Sequence, residues 1–233
     1  MNNISHRLKT IYDMVETNNR VCDLCSDHGL IPIKLIKDNK SNYVIATDIA
    51  KSSIDKINNN INLYLDNEQS KKIDVRIGDG LSIIDYNDFD ILIISGIGCD
   101  LMINILKNID KYNYKYLLLS PQTKIDKFRQ YLIDNNLYIQ DEKIVYEDNQ
   151  YYFILKVIKN KDNLNIDYKD YELLYSKHLL QKKDEVLHDY INKQLSQYND
   201  ILDKLKESNA IDNDAKKNYE YLYELTKNIL NKW

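Results

Sequence analysis

Hydrophobic and polar positions follow two different rhythms along this chain, and the change of rhythm divides it. Short apolar runs recur at 21–25, 43–47, 73–77, 89–94 and 116–119. The run at 89–94 is almost wholly apolar, the pattern of a strand covered on both faces of a parallel sheet. Between these runs, apolar residues take helical spacing over 31–37, 52–65, 101–109 and 124–135. An amphipathic helix over 4–17, carrying Ile4, Leu8, Ile11, Tyr12 and Val15, precedes the first strand. Two longer apolar runs, 137–146 and 151–158, flank Glu147-Asp148-Asn149-Gln150 and predict a β-hairpin. Five strand–helix alternations followed by a hairpin predict a doubly wound α/β sheet with an antiparallel edge.

After residue 160 the rhythm changes. The polar stretch 161–167 has the composition of a linker, and neither glycine nor proline occurs from there to Trp233. Ile191, Leu195, Tyr198, Leu202 and Leu205 step by 4, 3, 4 and 3. Ala215, Tyr219, Leu222, Ile229 and Trp233 keep the same seam in a second run, with Thr226 in the gap. With a turn over 207–214, this predicts an antiparallel helical hairpin with coiled-coil packing. Its longer arm, about 20 residues, would reach about 30 Å. Two domains are therefore expected, 1–160 and 161–233.

Charge narrows the partners. The 233 residues carry a net charge of −4. Residues 1–160 hold 20 basic and 22 acidic side chains, and 161–233 hold 12 and 14. No global basic field announces nucleic acid, so such a partner needs a local patch. Three cysteines, an odd number, point to a reducing compartment. No apolar leader or 18-residue apolar run occurs, so a cytoplasmic protein without membrane contact is expected.

The candidate chemistry gathers where strands end. Polar or glycine-bearing turns at 25–29, 48, 78–80 and 95–98 all fall on the C-terminal side of their strands, hence on one rim, where open α/β sheets bind nucleotide-like ligands. The first strand runs through a turn to Gly29 and into a helix with Pro32 in its first turn, where the missing N–H costs nothing. Asp48, ending the second strand, stands where an acid accepts both hydroxyls of a ribose, in hydrogen bonds worth roughly 1.5–3 kcal/mol each. The alternative for Asp48 is a helix cap or a solvated loop acid. Asp23-x-Cys25-x-Asp27-x-Gly29 keeps one glycine and adds carboxylates that would repel a pyrophosphate. They suit instead the sulfonium and ammonium groups of S-adenosylmethionine, a sign argument against a nicotinamide dinucleotide. Cys22-x-x-Cys25 has no second pair, and His6, His28, His178 and His188 lack ligand spacing around it, so no metal is expected. Gly78-Asp79-Gly80 could present a carboxylate to an adenine amino group or form a plain solvent turn. Ser95-Gly96-Ile97-Gly98 lets backbone approach a ligand or a planar base, or else makes a tight strand–helix turn. Whether Arg7 and His6 face the rim or solvent is left open by their spacing.

Taken in order, Ser5-His6-Arg7-Leu8, Asp23-Leu-Cys-Ser-Asp-His-Gly29, Gly78-Asp79-Gly80-Leu81, Ser95-Gly-Ile-Gly98 and Ser120-Pro121-Gln122 resemble the bacterial tRNA (adenine-22-N1)-methyltransferases. The likeness covers about 4–158 and, more loosely, the helical tail. Cys25 replaces a usual glycine, and Ser95-Gly-Ile-Gly-Cys99 replaces a typical Cys-Gly-Met-Gly-Gly. The resemblance implies a Rossmann-like class I methyltransferase sheet, S-adenosylmethionine as methyl donor, and N1 of an adenine in the D-arm region of tRNA as acceptor. It implies donor contacts from Arg7, Asp23, Cys25, Ser26, Gly29, Asp48, Ile49, Gly78, Asp79, Gly80, Ser95 and Gly96. Asp27 and His28 would serve the reacting base, with Ile97 and Gly98 holding it. Lys177, Lys182, Lys183, Lys193 and Lys204 would meet phosphates, in a monomeric enzyme. The competing readings are a class I methyltransferase for a small molecule or protein, a non-catalytic module that keeps the fold, and, for the hairpin, a self-associating coiled coil.

Overall fold

The computed structural model describes residues 4–160, 164, 167–207 and 213–233. It divides into two compact units, Met1–Asp167 and Tyr168–Trp233. The five residues 161–163, 165 and 166 of the expected linker, and 208–212 of the expected hairpin turn, lie outside the described residues.

In the first unit the chain runs α1 (His6–Met14), β1 (Asn19–Leu24), α2 (Leu30–Lys37), β2 (Ser41–Asp48), α3 (Lys51–Tyr64), α4 (Asn67–Ser70), β3 (Ile73–Ile77), β4 (Ile91–Ser95), α5 (Cys99–Leu106), β5 (Tyr116–Ser120), α6 (Ile125–Asp134), β6 (Leu137–Glu147) and β7 (Gln150–Lys159). The strands form one sheet in the order β3-β2-β1-β4-β5-β7-β6. Its first five strands are parallel, and β7 and β6 close the edge antiparallel. The strand order reverses between β1 and β4, so the ends of these two strands flank the crevice where such sheets take ligands.

Alternation along the Ile- and Val-rich strands sends side chains to both faces. Val21, Val44, Ala46, Ile73, Ile91, Ile93 and Leu118 join Ile11 of α1, Val15 just after it, Ile33 and Ile36 of α2, and Ile57 and Ile61 of α3 in one buried cluster. Cys22, Leu24, Leu92, Ile94, Leu117 and Leu119, equally buried, point to the opposite face, the side left to Met102 of α5 and Phe128 of α6. A fully buried Arg129 of α6 pairs with the equally buried Glu142 of β6, its Nε 3.1 Å from Oε1, and its guanidinium lies over the Phe153 ring.

Local chemistry corrects several expected boundaries. β1 stops at Leu24 rather than at residue 25, because Cys25 turns to φ +58°. The β6–β7 turn has two residues rather than four: Asp148 (φ +49°) and Asn149 (φ +63°) take the paired left-handed geometry that a tight hairpin requires. α5 (Cys99–Leu106) ends short of the expected residue 109, and a 3-10 turn Ile109–Lys111 follows. The short α4, absent from the sequence reading, is set by an Asp66/Gln69 capping box.

The second unit holds α7 (Asp170–Tyr175), α8 (Lys177–Lys182), α9 (Glu185–Glu207) and α10 (Asn213–Leu230). The two short helices were not anticipated. Ser176, at φ +70°, breaks the backbone between them and caps α8 through its hydroxyl. α9 and α10 run antiparallel: Tyr198 meets Tyr219 with ring centroids 6.1 Å apart, and His188 meets Trp233 at 5.0 Å. Ile191 and Leu202 of the predicted seam are buried. Thr226, its one polar position, is buried with Oγ1 donating to the Leu222 carbonyl and lying 2.6 Å from the Tyr175 hydroxyl. Among the described residues, no helix is long and apolar enough to cross a membrane.

Candidate active site

The turn after β1 is built from left-handed residues. Cys25 (φ +58°), Asp27 (φ +45°) and Gly29 (φ +66°) share that region, and each non-glycine there costs about 1–3 kcal/mol. The Ser26 N–H donates to the Thr47 carbonyl at 2.9 Å, tying the turn to the end of β2. A Cβ on Gly29 would stand 3.0 Å from Cγ2 of Ile57, so this glycine serves close packing on α3 as well as the turn.

Asp23, 4% exposed, sits in register between Ala46 of β2 and Ile93 of β4 at the reversal point. Burial pushes its pKa up to about 7, against the opposing pull of the Ser26 hydroxyl, which donates to Oδ2 at 2.6 Å. Cys25 is half-buried. Its thiol is pushed up to about 11, first by burial and then by the negative charges of Asp48, Asp23 and Asp79. The carboxylates of three strand ends thus bear on one thiol, the electrostatic signature of their convergence.

Asp48 accepts the Ala50 N–H on Oδ1 at 2.9 Å and the Asp27 N–H on Oδ2 at 3.4 Å, so part of its capacity goes to local turn formation. Beside it, Ile49 is 68% exposed, and Ile77 at the end of β3 is 55% exposed, two large aliphatic side chains on the rim. Gly78 donates to the Asp48 carbonyl at 3.1 Å, and a Cβ there would lie 2.5 Å from Cγ2 of Ile83. Asp79 is exposed, Gly80 has φ +54°, and a cavity of about 570 Å³ opens beside them, walled by Leu81, Ile84, Tyr86, Ile105 and Tyr112.

On the other side of the reversal point, Gly96 has φ +82°, and its missing side chain faces Nη1 of Arg7, 3.9 Å from where a Cβ would stand. That Nη1 is buried and has no hydrogen-bond partner among the described residues. The Arg7 guanidinium lies 4.8 Å from the centroid of the Tyr152 ring on β7. The His6 N–H, at the start of α1, donates to Oε1 of Glu147 at 2.5 Å. Arg7 therefore faces the rim, held there by the edge hairpin. The Ile97 carbonyl accepts from the Gln122 N–H at 3.0 Å, Gly98 caps α5, and the Cys99 N–H donates to Thr123 Oγ1 at 3.3 Å. Ser95 pairs in register with Ser120, whose buried hydroxyl has no partner among the described residues.

Asp23, Cys25, Ser26, Asp48, Ile49, Asp79, Gly96 and Arg7 are thus set around one crevice by four strand ends and α1. Asp27 and His28 are tied to α3 and to each other. The Asp27 carboxylate takes Ser53 at 3.3 Å, Lys56 at 3.2 Å and His28 Nε2 at 3.1 Å, and the His28 carbonyl accepts from Asn60. The Asp27 carboxylate is thus engaged by α3 and His28, while its N–H reaches Asp48 at the end of β2. Lys177, Lys182, Lys183, Lys193 and Lys204 belong to the second unit. Tyr152 and Glu147 were missed by sequence reading, because one tyrosine among 20 carries no signal and Glu147 looked like a turn residue.

The crevice offers an unpartnered buried cation donor, a buried acid near neutrality, a strand-end acid and exposed aliphatic cover. That set fits a ligand combining a carboxylate, a cationic centre, a sugar diol and a flat ring. Comparison with known proteins points the same way. The family model for a methyltransferase domain matches residues 4–155. A tRNA (adenine(22)-N(1))-methyltransferase of Bacillus subtilis is 29% identical over 161 residues, 65% of this chain; the match spans 63% of that protein, under two thirds of its length. A Streptococcus agalactiae protein of the NADB-Rossmann superfamily superposes with a TM-score of 0.86 at 25% identity, covering 98% of this chain and 97% of its own. M. capricolum TrmK in complex with S-adenosyl-homocysteine superposes with a TM-score of 0.82 at 22% identity, covering 98% of each chain.

Proposed function

The chain belongs to the methyltransferase-domain family, and from that premise we propose that it transfers a methyl group from S-adenosylmethionine to N1 of an adenine in tRNA, at the position named for its Bacillus relative, adenine 22. The observation that carries the donor assignment is Arg7 Nη1, a buried cationic donor without a partner among the described residues, set against Gly96 at the sheet's reversal point.

In this proposal Arg7 receives the donor's carboxylate, completing its hydrogen bonds. Asp23 faces the cationic end, whose positive charge offsets the burial that raises the acid's pKa and favours its ionised form. Asp48, already oriented by the Ala50 N–H, accepts the ribose hydroxyls. Asp79 takes the adenine amino group, and Ile49 and Ile77 cover the ring. When bound, S-adenosylmethionine supplies a methyl group on a sulfonium, electrophilic enough for a ring nitrogen lone pair without a strong base.

The protein's main task is then alignment, which can supply about 7–11 kcal/mol. The bare backbone of Gly96, Ile97 and Gly98 gives a flat base close approach. N1 lies on the pairing edge, so the adenine must be unstacked and unpaired to enter. Asp27, exposed and shared with Lys56 and His28, is proposed to stabilise the positive charge that forms on the ring and to take up the N6 proton, with His28 beside it.

Incubation with an unmodified tRNA transcript and labelled donor, followed by nucleoside mapping, tests the reading. We expect 1-methyladenosine at a single D-arm position. Label in metabolites or proteins with none in tRNA would install the small-molecule or protein alternative in its place. Absence of any donor binding would leave a module that keeps the fold without the chemistry.

A further inference from the structure

We propose that a cleft in the second unit holds one unstacked nucleotide of the RNA substrate, its base on Tyr171 or Trp233 and its phosphate on Lys183 and Lys232. The cleft measures about 560 Å³, a volume suited to a small ligand, and runs between α7, the end of α8 and the last turns of α10. Leu225 and Ile229 give it an apolar lining, and Tyr171 and Trp233 add half-buried aromatic rings. Lys183 and Lys232, both exposed, stand on its border and make no ion pair among the described residues.

The combination selects the occupant. A purely aliphatic chain would gain nothing from two ammonium groups, and an inorganic anion nothing from two aromatic rings. A nucleotide uses both, because any base stacks on an aromatic face while a cation tracks its backbone. Trp233 meets His188 of α9 with ring centroids 5.0 Å apart, and the Lys169 ammonium lies 5.7 Å from the Tyr171 centroid, yet both rings stay half-buried and line the cleft. Of the lysines that sequence reading selected for phosphate contact, Lys183 is the one that lines this cleft. The inference rests on the proposed tRNA reading and adds to it a grip on the substrate remote in sequence from the methyl-transfer rim.

Trp233 is the single tryptophan, so its emission reports on the cleft directly. The full chain is titrated with an unmodified tRNA transcript at several salt concentrations, following both Trp233 emission and affinity. We expect emission to change on saturation and Trp233→Leu to weaken binding at least about fivefold, with Trp233→Phe retaining most of it. The double variant Lys183→Gln/Lys232→Gln should lower the slope of log affinity against log salt by about 1.4, two single-strand phosphate contacts. A helical circular-dichroism signal and an unfolding midpoint unchanged in each variant certify that the second unit is folded; should Trp233→Leu fail that control, the exposed lysine pair carries the test. Tight tRNA binding with an unaltered salt slope and unaltered emission overturns the cleft while leaving the tRNA reading intact. Emission that responds to fatty acid or to protein concentration but not to tRNA assigns the cleft to another occupant. No tRNA binding by the unaltered chain removes the tRNA reading, and this inference with it.

Discussion

Asp23 shows most clearly how one residue links burial to binding. Its carboxyl is buried between two strands, and the loss of hydration raises its pKa to about 7. With the folded-state value raised, the protonated form favours the fold most below the unfolded carboxylate pKa near 3.8, and this contribution is lost as pH rises towards 7. Binding a cation runs the other way, since the acid must first ionise. Donor affinity should therefore rise about tenfold from pH 6 to pH 8, following the ionised fraction of a group with a pKa near 7, and Asp23→Asn should flatten that rise in a calorimetric titration. Asp48→Ala should weaken donor binding at least about tenfold, the loss of one charge-assisted hydrogen bond; unchanged affinity would remove Asp48 from the ribose. Both acids stand in the motif order read from the sequence, but neither the raised pKa of Asp23 nor the turn bonds of Asp48 could be read there.

Among elements, the edge hairpin does more than close the sheet. It presents Tyr152 under Arg7 and Glu147 to the first N–H of α1, so an antiparallel pair positions a cation from the other end of the chain. Tyr152→Leu should weaken binding of S-adenosyl-homocysteine but not of a nucleoside lacking the amino-acid tail, and Tyr152→Phe should restore it. Equal loss for both ligands would mean general damage to the site. The hairpin is also pinned to α6 by the buried Arg129–Glu142 pair. Arg129→Met alone strands a buried carboxylate and should cost about 3–5 kcal/mol in denaturant unfolding, whereas adding Glu142→Leu should recover most of it. Alternation and helical spacing located these elements. Their contacts escaped notice because Arg129, Glu142 and Tyr152 occupy positions where polar or aromatic residues usually face water.

At the scale of the whole chain, two compact units divide the work proposed for it, and removing Tyr168–Trp233 should separate the parts. The remaining unit, with its own core, should keep donor affinity and lose tRNA affinity; a folded truncation that still binds tRNA would move RNA recognition to the first unit. Sequence by itself determined the five parallel strands, the helices that follow four of them, the antiparallel edge and the two long C-terminal helices, because period-2 and period-3.6 burial is imposed on neighbouring residues by local geometry; β3 leads to β4 without an α-helix between them. It also ordered the acids and glycines along the rim, since turns after strands need those residue types. Only the tertiary structure decided that Arg7 turns to Gly96 with a nitrogen left unsatisfied, that Asp27 faces α3, and that Asp23 sits near neutrality. These outcomes depend on desolvation and on side chains up to about 145 positions apart, as Arg7 and Tyr152 are, and no local pattern carries information over that span.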